Sequence, residues 1–253
     1  MTFFRPVVPA LLATALAVLP AAAASFTDSQ RGEIETIVKD YLLSHPEILE
    51  DVSNELAKRQ AAAEAVKHQE AVQKNADALF NSPRGVVLGN RSGDVNFVEF
   101  FDYNCGYCKR AMADMLDLLK NDPKLRVTLK EFPVLGPGSV EAARVAVAVR
   151  MQDPTGKKYL DFHQKLLGGR GQADKAKALA AAKDAGLDMT RLEKDLASPE
   201  IDATLAENFK MAEDMGLNGT PSYVIGKEVV VGAVGLDGLS KKISEARCGK
   251  ATC

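Results

Sequence analysis

Two cysteines, Cys105 and Cys108, stand two residues apart, a spacing suited to covalent chemistry. A Cys-x-x-Cys pair can form half of a zinc site, a static disulfide, or a dithiol that exchanges with other disulfides. A zinc site needs two further ligands at suitable spacing, whereas Cys248, Cys253 and the three histidines lie far away in the sequence. The pattern therefore favours redox chemistry over zinc binding or a structural bridge.

The residues around this pair predict a strand, a short turn and a helix. The run Val95–Phe101 is apolar and rich in Phe and Val, which is typical of a buried strand, and apolar residues recur at helical spacing from Ala111 to Leu119. This order puts Cys105 at a helix N-terminus, where unpaired N–H groups and the helix dipole favour an anion. The anion would be a thiolate, and a lowered thiol pKa makes a cysteine reactive near neutral pH.

Composition and charge are ordinary for a globular protein. Of the 253 residues, 46% are hydrophobic and 26% are charged, which leaves ample material for a core and argues against wholesale disorder. The formal net charge is −2, so nothing indicates a nucleic acid or an anionic membrane as a partner.

The first 24 residues have the layout of a secretory signal peptide. Arg5 is the only charge before Asp28, the run Val7–Leu19 is apolar, and Ala22–Ala24 offers small residues for cleavage after Ala24. A membrane anchor is the alternative, but the apolar run is short for a span. We therefore expect an exported protein in the periplasm, an oxidising compartment that permits disulfides.

Residues 25–82 are helical in pattern and contain no strand signals. A second helix is expected from Pro46 to about Phe80, with a narrow apolar stripe and many charges, so it cannot bury much by itself. We interpret the segment as an oligomerisation arm whose stripe meets copies of itself in other subunits. The alternative is a solvated helix packed on its own catalytic domain.

Residues 83–253 predict an α/β domain. The order is strand, helix, strand, several helices, strand, strand and helix, which indicates a sheet with helices on its faces. The helical block at about 139–216 is an insertion between the two halves. The predicted strands are Val86–Asn90, Val95–Phe101, Leu125–Phe132, Tyr223–Gly226 and Lys227–Val231.

Three features resemble the thioredoxin superfamily, and specifically its DsbA-like branch. They are the run Phe101–Arg110 (FDYNCGYCKR), the later Gly219–Pro221 (GTP), and the helical insertion between them. Within that branch, Gly169–Gly171 (GRG) and the helical N-terminal extension resemble the ScsC (suppressor of copper sensitivity C) proteins. The resemblance covers about residues 30–247 and implies a thioredoxin fold with a helical insertion, preceded by an oligomerisation arm.

The resemblance implies roles for the cysteines and for a proline loop. Cys105 would be the exposed nucleophile and Cys108 the buried resolving thiol: a thiolate attacks a substrate disulfide, forms a mixed disulfide, and is displaced by the second thiol. Thr220 and Pro221 match the family's cis-proline loop, which faces the cysteines and pairs with bound substrate as a short added strand. No resident cofactor and no metal are expected.

A buried acid is also implied. Glu99 precedes Cys105 by six residues, the spacing of the family's carboxylate behind the active site. Because a buried carboxylate is unfavourable without a partner or a task, we expect Glu99 to accept or relay the proton of Cys108. Lys130, on the neighbouring strand, is a candidate partner for Glu99. His163 is interpreted as a packing or surface residue.

The four cysteines allow three pairings. Close spacing favours Cys105 with Cys108 and Cys248 with Cys253. We interpret the second pair as a small structural disulfide that holds the C-terminus, worth on the order of 2 kcal/mol for so short a loop. An auxiliary redox or metal pair is the alternative.

Two features resemble the periplasmic isomerase pattern more than the strong-oxidase pattern, and the resemblance implies a disulfide isomerase or reductase. Neither Gly106 nor Tyr107 brings a positive charge to Cys105, and the residue before Pro221 is Thr220 rather than an aliphatic residue. An isomerase must be kept reduced and benefits from several active sites facing a shared cavity.

The resemblance then implies partners. They are exported proteins with disulfides, a membrane reductase of the ScsB/DsbD kind, and further copies of the chain, with a homotrimer as the first expectation and a dimer as the second. Two other functions stay open. One is a monomeric DsbA-like dithiol oxidase, and the other is a copper-tolerance protein that holds Cu(I) at Cys105 and Cys108.

Overall fold

A computed structural model describes residues 26–253. Its contacts divide them into two units, one ending at Ala57 and the other beginning at Lys58. The predicted signal peptide, residues 1–24, lies outside the described residues. The predicted boundary between arm and catalytic domain at residue 82 stays a prediction.

The first unit contains helix α1 (Asp28–Ser44) and the beginning of helix α2 (Glu47–Lys74). Thr27 caps α1: its hydroxyl accepts a hydrogen bond from the backbone N–H of Gln30, and its own N–H donates to the Gln30 side chain. No residue of 26–57 is buried. The large apolar side chains exposed in this unit are Phe26, Ile34, Ile37, Val38, Tyr41, Leu43, Leu49, Val52 and Leu56.

The second unit is built on one five-stranded sheet. Its strands are β1 (Val86–Gly89), β2 (Val95–Phe101), β3 (Leu125–Glu131), β4 (Ser222–Ile225) and β5 (Glu228–Val231). Their order across the sheet is β1-β3-β2-β4-β5, with a parallel pair at β2–β3 and antiparallel pairs elsewhere. The predicted strands agree with these bounds to within one residue.

Helices surround this sheet, and five of them lie between β3 and β4 in the chain. The helices that follow α2 are α3 (Gly106–Asn121), α4 (Pro137–Gln152), α5 (Lys157–Gly168), α6 (Lys175–Asp184), α7 (Met189–Asp195), α8 (Pro199–Asp214) and α9 (Gly235–Cys248). Helices α4 to α8 form the predicted insertion. Within the described residues, no helix combines the length and apolar character that a membrane span requires.

The central strand β2 separates two hydrophobic clusters because successive side chains point to opposite faces of a sheet. Phe97 and Phe101 belong to the larger cluster, which also contains Cys105 and Cys108. Val98 and Phe100 belong to the smaller cluster on the other face. Glu99 therefore shares the face of Phe97 and Phe101, as its expected role requires.

The smaller cluster includes residues from the segment that precedes the sheet. Val72, near the end of α2, and Leu79, in a π-helical turn at Asp77–Asn81, are both buried against Val98 and its neighbours. Burying two such side chains contributes about 1.5–3 kcal/mol each. For this part of the segment, the burial fits the alternative interpretation, a helix packed on the catalytic domain.

Candidate active site

The central strand and the helix that follows it position the two cysteines. Strand β2 ends at Phe101, and Cys105 is the N-cap residue of α3, so its sulfur accepts a hydrogen bond from the backbone N–H of Cys108 at 3.3 Å. Both cysteines are free thiols. The structure therefore describes the dithiol form, in which the bond between Cys105 and Cys108 that close spacing favours is not made.

The surroundings of Cys105 stabilise its thiolate. The hydrogen bond from the Cys108 thiol is the largest influence and lowers the pKa of Cys105 to about 5, with further help from Thr220 and the backbone N–H groups of Cys108 and Tyr107. Burial acts in the opposite direction and is outweighed. A thiol with this pKa is ionised at neutral pH without any neighbouring cation.

Cys108 has the opposite character. Its hydrogen bond to Cys105 and its burial raise the pKa of the Cys108 thiol, and the side chain is fully buried. Cys105 is itself only 6% exposed, so the expectation of an exposed nucleophile was wrong in degree. The reason is the loop before β4, which covers the Cys105 sulfur and leaves only part of it accessible.

That loop contains a cis peptide bond between Thr220 and Pro221. The carbonyl oxygen of Thr220 lies 3.1 Å from the Cys105 sulfur, which donates to it in the thiol form. Thr220 thus lies directly against Cys105, and Pro221 follows it across the cis bond. The roles assigned to them remain a proposal.

Glu99 lies in the middle of β2 and is almost fully buried. Burial, followed by the negative charges of Cys105 and Asp114, raises the pKa of its carboxyl to about 8. Among residues 26–253, Glu99 has no salt-bridge partner. It is a carboxyl that holds its proton near neutral pH behind the reactive cysteine.

Lys130 does not pair with Glu99, and this expectation was wrong. In the parallel pairing of β2 and β3, Lys130 lies opposite Phe100, so its side chain points to the other face of the sheet. There its ammonium donates to the carbonyl oxygen of Ala78 at 2.9 Å and lies 3.6 Å from Glu207. Burial lowers the pKa of Lys130 to about 8.

Asp102 organises the turn before the cysteines, a role that the sequence analysis missed. Its buried carboxylate accepts hydrogen bonds from the backbone N–H of Asn104, Val134 and Leu135, at 2.7–2.9 Å, and from the Ser139 hydroxyl at 2.7 Å. An aspartate two residues before a turn asparagine is a typical signal for such local bonding. The bonds to the loop after β3 have no sequence signal.

Asn104 extends the same connection to the insertion. Its side-chain amide donates to the Ser139 hydroxyl at 2.9 Å and to the carbonyl oxygen of Ala173 at 3.0 Å, and it accepts from the Ala173 N–H at 2.7 Å. The residue that precedes the nucleophile is thus bonded to two separate segments of the chain. The turn that precedes Cys105 is therefore fixed by hydrogen bonds to both α4 and the loop before α6.

A buried polar chain lies next to this turn. The Tyr103 hydroxyl is 3.3 Å from the Tyr159 hydroxyl and 3.3 Å from Nδ1 of His163, and Tyr159 donates to Glu131 at 2.6 Å. His163 is buried, one of the two expected outcomes, and burial lowers its pKa to about 3. The imidazole is therefore neutral and serves packing and hydrogen bonding.

The remaining cysteines lie at the end of α9. Cys248 and Cys253 form a disulfide with a Cα–Cα distance of 6.3 Å, the pairing that their spacing favours. Both residues are exposed. Within residues 26–253, no group of three or more His, Cys, Asp or Glu side chains is arranged to hold a metal ion.

A dithiol at a helix N-terminus, facing a cis-proline loop on a mixed sheet, defines the thioredoxin-like class. The family model described as a DsbA-like thioredoxin domain matches residues 97–244, and the chain belongs to this family of thiol-disulfide oxidoreductases. A second model, the N-terminal domain of the copper resistance protein ScsC, matches residues 30–63. These matches confirm the predicted fold class and the resemblance to ScsC.

Solved structures agree with this assignment. A thioredoxin-like oxidoreductase from Silicibacter pomeroyi DSS-3 is 44% identical, with a TM-score of 0.64 over 68% of this chain and 96% of that one. The thiol-disulfide exchange protein alpha-DsbA2 from Wolbachia pipientis is 30% identical, with a TM-score of 0.65 over 70% and 95%. Proteus mirabilis ScsC in a transitional conformation is 28% identical, with a TM-score of 0.65 over 88% and 100%.

Curated relatives show a different context for a similar segment. A Na⁺/H⁺ antiporter of Salinispora arenicola is 27% identical over 168 residues, which is 66% of this chain and 25% of the antiporter. The chain thus spans about a quarter of the length of the curated relatives it matches. The likeness concerns that shared segment.

Proposed function

We propose that this chain is a periplasmic thiol-disulfide oxidoreductase that acts mainly as a disulfide isomerase or reductase on exported proteins. The observation that carries the proposal is the pairing of two unlike thiols. Cys105 has a pKa of about 5 and borders the surface, whereas Cys108 has a raised pKa and is fully buried. The first is suited to attack a disulfide, and the second is suited to resolve the product.

The exchange conserves electrons at each step. The Cys105 thiolate attacks a substrate disulfide, an S–S bond to Cys105 forms, and the other substrate sulfur leaves as a thiolate. In isomerisation, a substrate thiolate then displaces Cys105 and forms a new substrate disulfide, so no net oxidation occurs. In reduction, Cys108 displaces the substrate, which leaves reduced, while Cys105 and Cys108 form a disulfide.

Glu99 suits the proton transfer that the second route requires. Cys108 must lose its proton before it attacks, and a buried thiol has few acceptors. While Cys105 is a thiolate, its charge helps to raise the pKa of Glu99 to about 8. In the mixed disulfide that charge is gone, so Glu99 is ionised more often and is available to accept the proton of Cys108.

The first unit supports assembly into an oligomer. The residues of the active site support the direction in which the protein transfers electrons. The exposed apolar side chains of residues 26–57 support contact with further copies of the chain, with a homotrimer proposed first and a dimer second. Thr220 before Pro221 supports the isomerase or reductase direction. That direction requires a membrane reductase of the ScsB/DsbD kind, which returns electrons to Cys105 and Cys108.

The experiment combines sedimentation of the chain without residues 1–24 with reactivation of scrambled ribonuclease A. We expect an oligomer that restores ribonuclease activity in the presence of a small amount of reductant. The double variant Cys105→Ala/Cys108→Ala is the inactive control. A monomer that oxidises reduced ribonuclease and cannot unscramble it would support the DsbA-like oxidase instead.

The match to a copper resistance domain supports a second candidate function, in which the two thiols hold Cu(I). Titration of the reduced protein with Cu(I) tests it. Tight binding that is lost in the Cys105→Ala/Cys108→Ala variant, together with no reactivation of ribonuclease, would favour this function over the isomerase.

A further inference from the structure

A groove of about 580 Å³ opens beside the nucleophile. Cys105 is one of its lining residues, and other walls come from Leu135 after β3, Leu166 near the end of α5, and the loop at 169–172. Leu135 is half exposed, so the groove offers apolar surface as well as polar groups. Any polypeptide whose disulfide reaches Cys105 must place the residues next to its cysteine against these walls.

The charges that line this groove all have the same sign. Lys109 and Arg170 line it, and none of its lining residues is acidic. Both cations are exposed to solvent. Within residues 26–253, no carboxylate forms an ion pair with Arg170. A third cation, Arg110, lies nearby on α3 with its guanidinium 4.4 Å from the centre of the Tyr107 ring.

The loop that carries Arg170 is held in place on both sides. The ammonium of Lys109 donates to the carbonyl oxygen of Gly169 at 2.6 Å, and that of Lys177 donates to the carbonyl oxygen of Arg170 at 2.9 Å. Gly171 has a φ of +73°, a conformation that favours glycine. The backbone under Arg170 is therefore fixed, while its guanidinium stays free to meet a ligand.

We propose that this groove selects disulfides whose cysteines are flanked by acidic side chains, with the carboxylate of a neighbouring Asp or Glu bound by Arg170 and Lys109. This substrate preference rests on the proposed function. The reaction is the first exchange step: the S–Cys105 bond forms, the substrate S–S bond breaks, and the departing sulfur leaves as a thiolate. A carboxylate held by the groove brings the disulfide to Cys105 and favours that step.

The size of the preference follows from the exposure of the cations. An exposed ion pair contributes a factor of about 1.4 to 5 in binding, so two pairs predict a preference of about twofold to 25-fold for acidic over neutral substrates. Disulfides flanked by basic residues should react more slowly than those flanked by neutral residues, because Arg170 and Lys109 repel a positive charge. Salt should reduce both differences, since the pairs are open to solvent.

The test uses the full chain without residues 1–24 and with the substitution Cys108→Ala, so that the reaction stops at the mixed disulfide. Three blocked peptide disulfides carry Glu, Gln or Lys on both sides of the cysteine. Mass spectrometry of acid-quenched samples gives the rate of mixed-disulfide formation at Cys105. Each rate is divided by the rate of the same peptide with 2-mercaptoethanol, which removes the intrinsic effect of peptide charge on exchange.

We expect the corrected rates to fall in the order Glu, Gln, Lys. Arg170→Gln should reduce the Glu-to-Lys ratio at least twofold, and Arg170→Glu should reverse it. Lys109→Gln is a second groove variant and should also reduce the ratio. The matched control is Lys120→Gln: Lys120 is exposed on the same helix, about 16 Å along the axis from Lys109, and its loss should leave the ratio unchanged.

Equal corrected rates for the three peptides would overturn the preference. A ratio that persists in Arg170→Gln and Lys109→Gln would overturn its assignment to this groove. Failure of thiol-disulfide exchange, on which the proposed function depends, gives a different result, because no peptide would then form a mixed disulfide with Cys105.

Discussion

Glu99 lies directly opposite Tyr223 in the antiparallel pairing of β2 and β4, so both side chains occupy the same face of the sheet. Both are buried, and within residues 26–253 the Tyr223 hydroxyl has no hydrogen-bond partner. Burial, followed by the charge of Glu99, raises the pKa of Tyr223. The space behind the cysteines thus disfavours charge, and Glu99 is the group there that can change its charge near neutral pH.

Replacing Glu99 should therefore change how stability depends on pH. In the folded dithiol form the carboxyl keeps its proton to about pH 8, whereas its ordinary pKa is 4.5. The folded state binds the additional proton, so the contribution of Glu99 to the free energy of unfolding falls as pH rises from about 4.5 to 8. Glu99→Gln removes this loss. Relative to the wild type, the free energy of unfolding of the variant should increase by on the order of 3–5 kcal/mol at pH 8.

Urea unfolding followed by circular dichroism at pH 5, 7 and 8.5, with reductant present, measures this gain. Glu193→Gln, at an exposed glutamate of α7, is the control and should show no such trend. A gain from Glu99→Gln that is the same at every pH would show that the carboxyl is not held protonated.

Alkylation should reveal the ionisation of Cys105. The rate of reaction with iodoacetamide should rise with a midpoint near pH 5, because the thiolate is the reactive form. In Cys108→Ala the midpoint should move to higher pH, because the strongest hydrogen bond to the Cys105 sulfur is lost. Mass spectrometry locates the modified cysteine, and a wild-type midpoint near pH 9 would contradict the stabilised thiolate.

The two cysteines should differ in their ability to trap a substrate. Cys108→Ala should accumulate a mixed disulfide with scrambled ribonuclease A, because the buried thiol that resolves it is missing. Cys105→Ala should accumulate none, because Cys108 is fully buried and has a raised pKa. Non-reducing electrophoresis shows the complex, and trapping by Cys105→Ala alone would reverse the two roles.

Two N-terminal deletions should separate assembly from stability. A chain that begins at Lys58 keeps Val72 and Leu79, so it should retain the stability of the second unit and lose the assembly attributed to residues 26–57. A chain that begins at Pro83 loses both buried side chains and should be less stable by about 3–6 kcal/mol. Urea unfolding and sedimentation measure the two effects, and equal stability of the two chains would contradict this division.

Much of the architecture could be predicted because its signals are local. Val95–Phe101 is a mostly apolar run rich in Phe and Val, and Cys105 follows it at the distance that a strand, a turn and a helix require. Lys130 shows where local reasoning ends. Alternation within β3 tells which residues share a face with Lys130, but not whether that face is also the face of Glu99. Only the pairing of Lys130 with Phe100 shows that Lys130 and Glu99 lie on opposite faces of the sheet.

The remaining features of the site depend on contacts between distant segments. Asp102 binds backbone groups of Val134 and Leu135, and Arg170 reaches the nucleophile's groove from 65 residues further along the chain. Neither residue belongs to a pattern of regular spacing. Their partners are decided by how the insertion folds back, which no single stretch of sequence contains.

The hydrogen bonds of Asp102 and Asn104 have a consequence for protein engineering. Because Asp102 and Asn104 form hydrogen bonds with Ser139 and Ala173, the helical block between β3 and β4 is not an exchangeable module. A designer who grafts a foreign block onto this sheet must supply a hydroxyl and a free peptide group at the same two places. Without them, Asp102 and Asn104 would lose hydrogen-bond partners, and the turn that positions Cys105 would be less firmly held in the grafted protein.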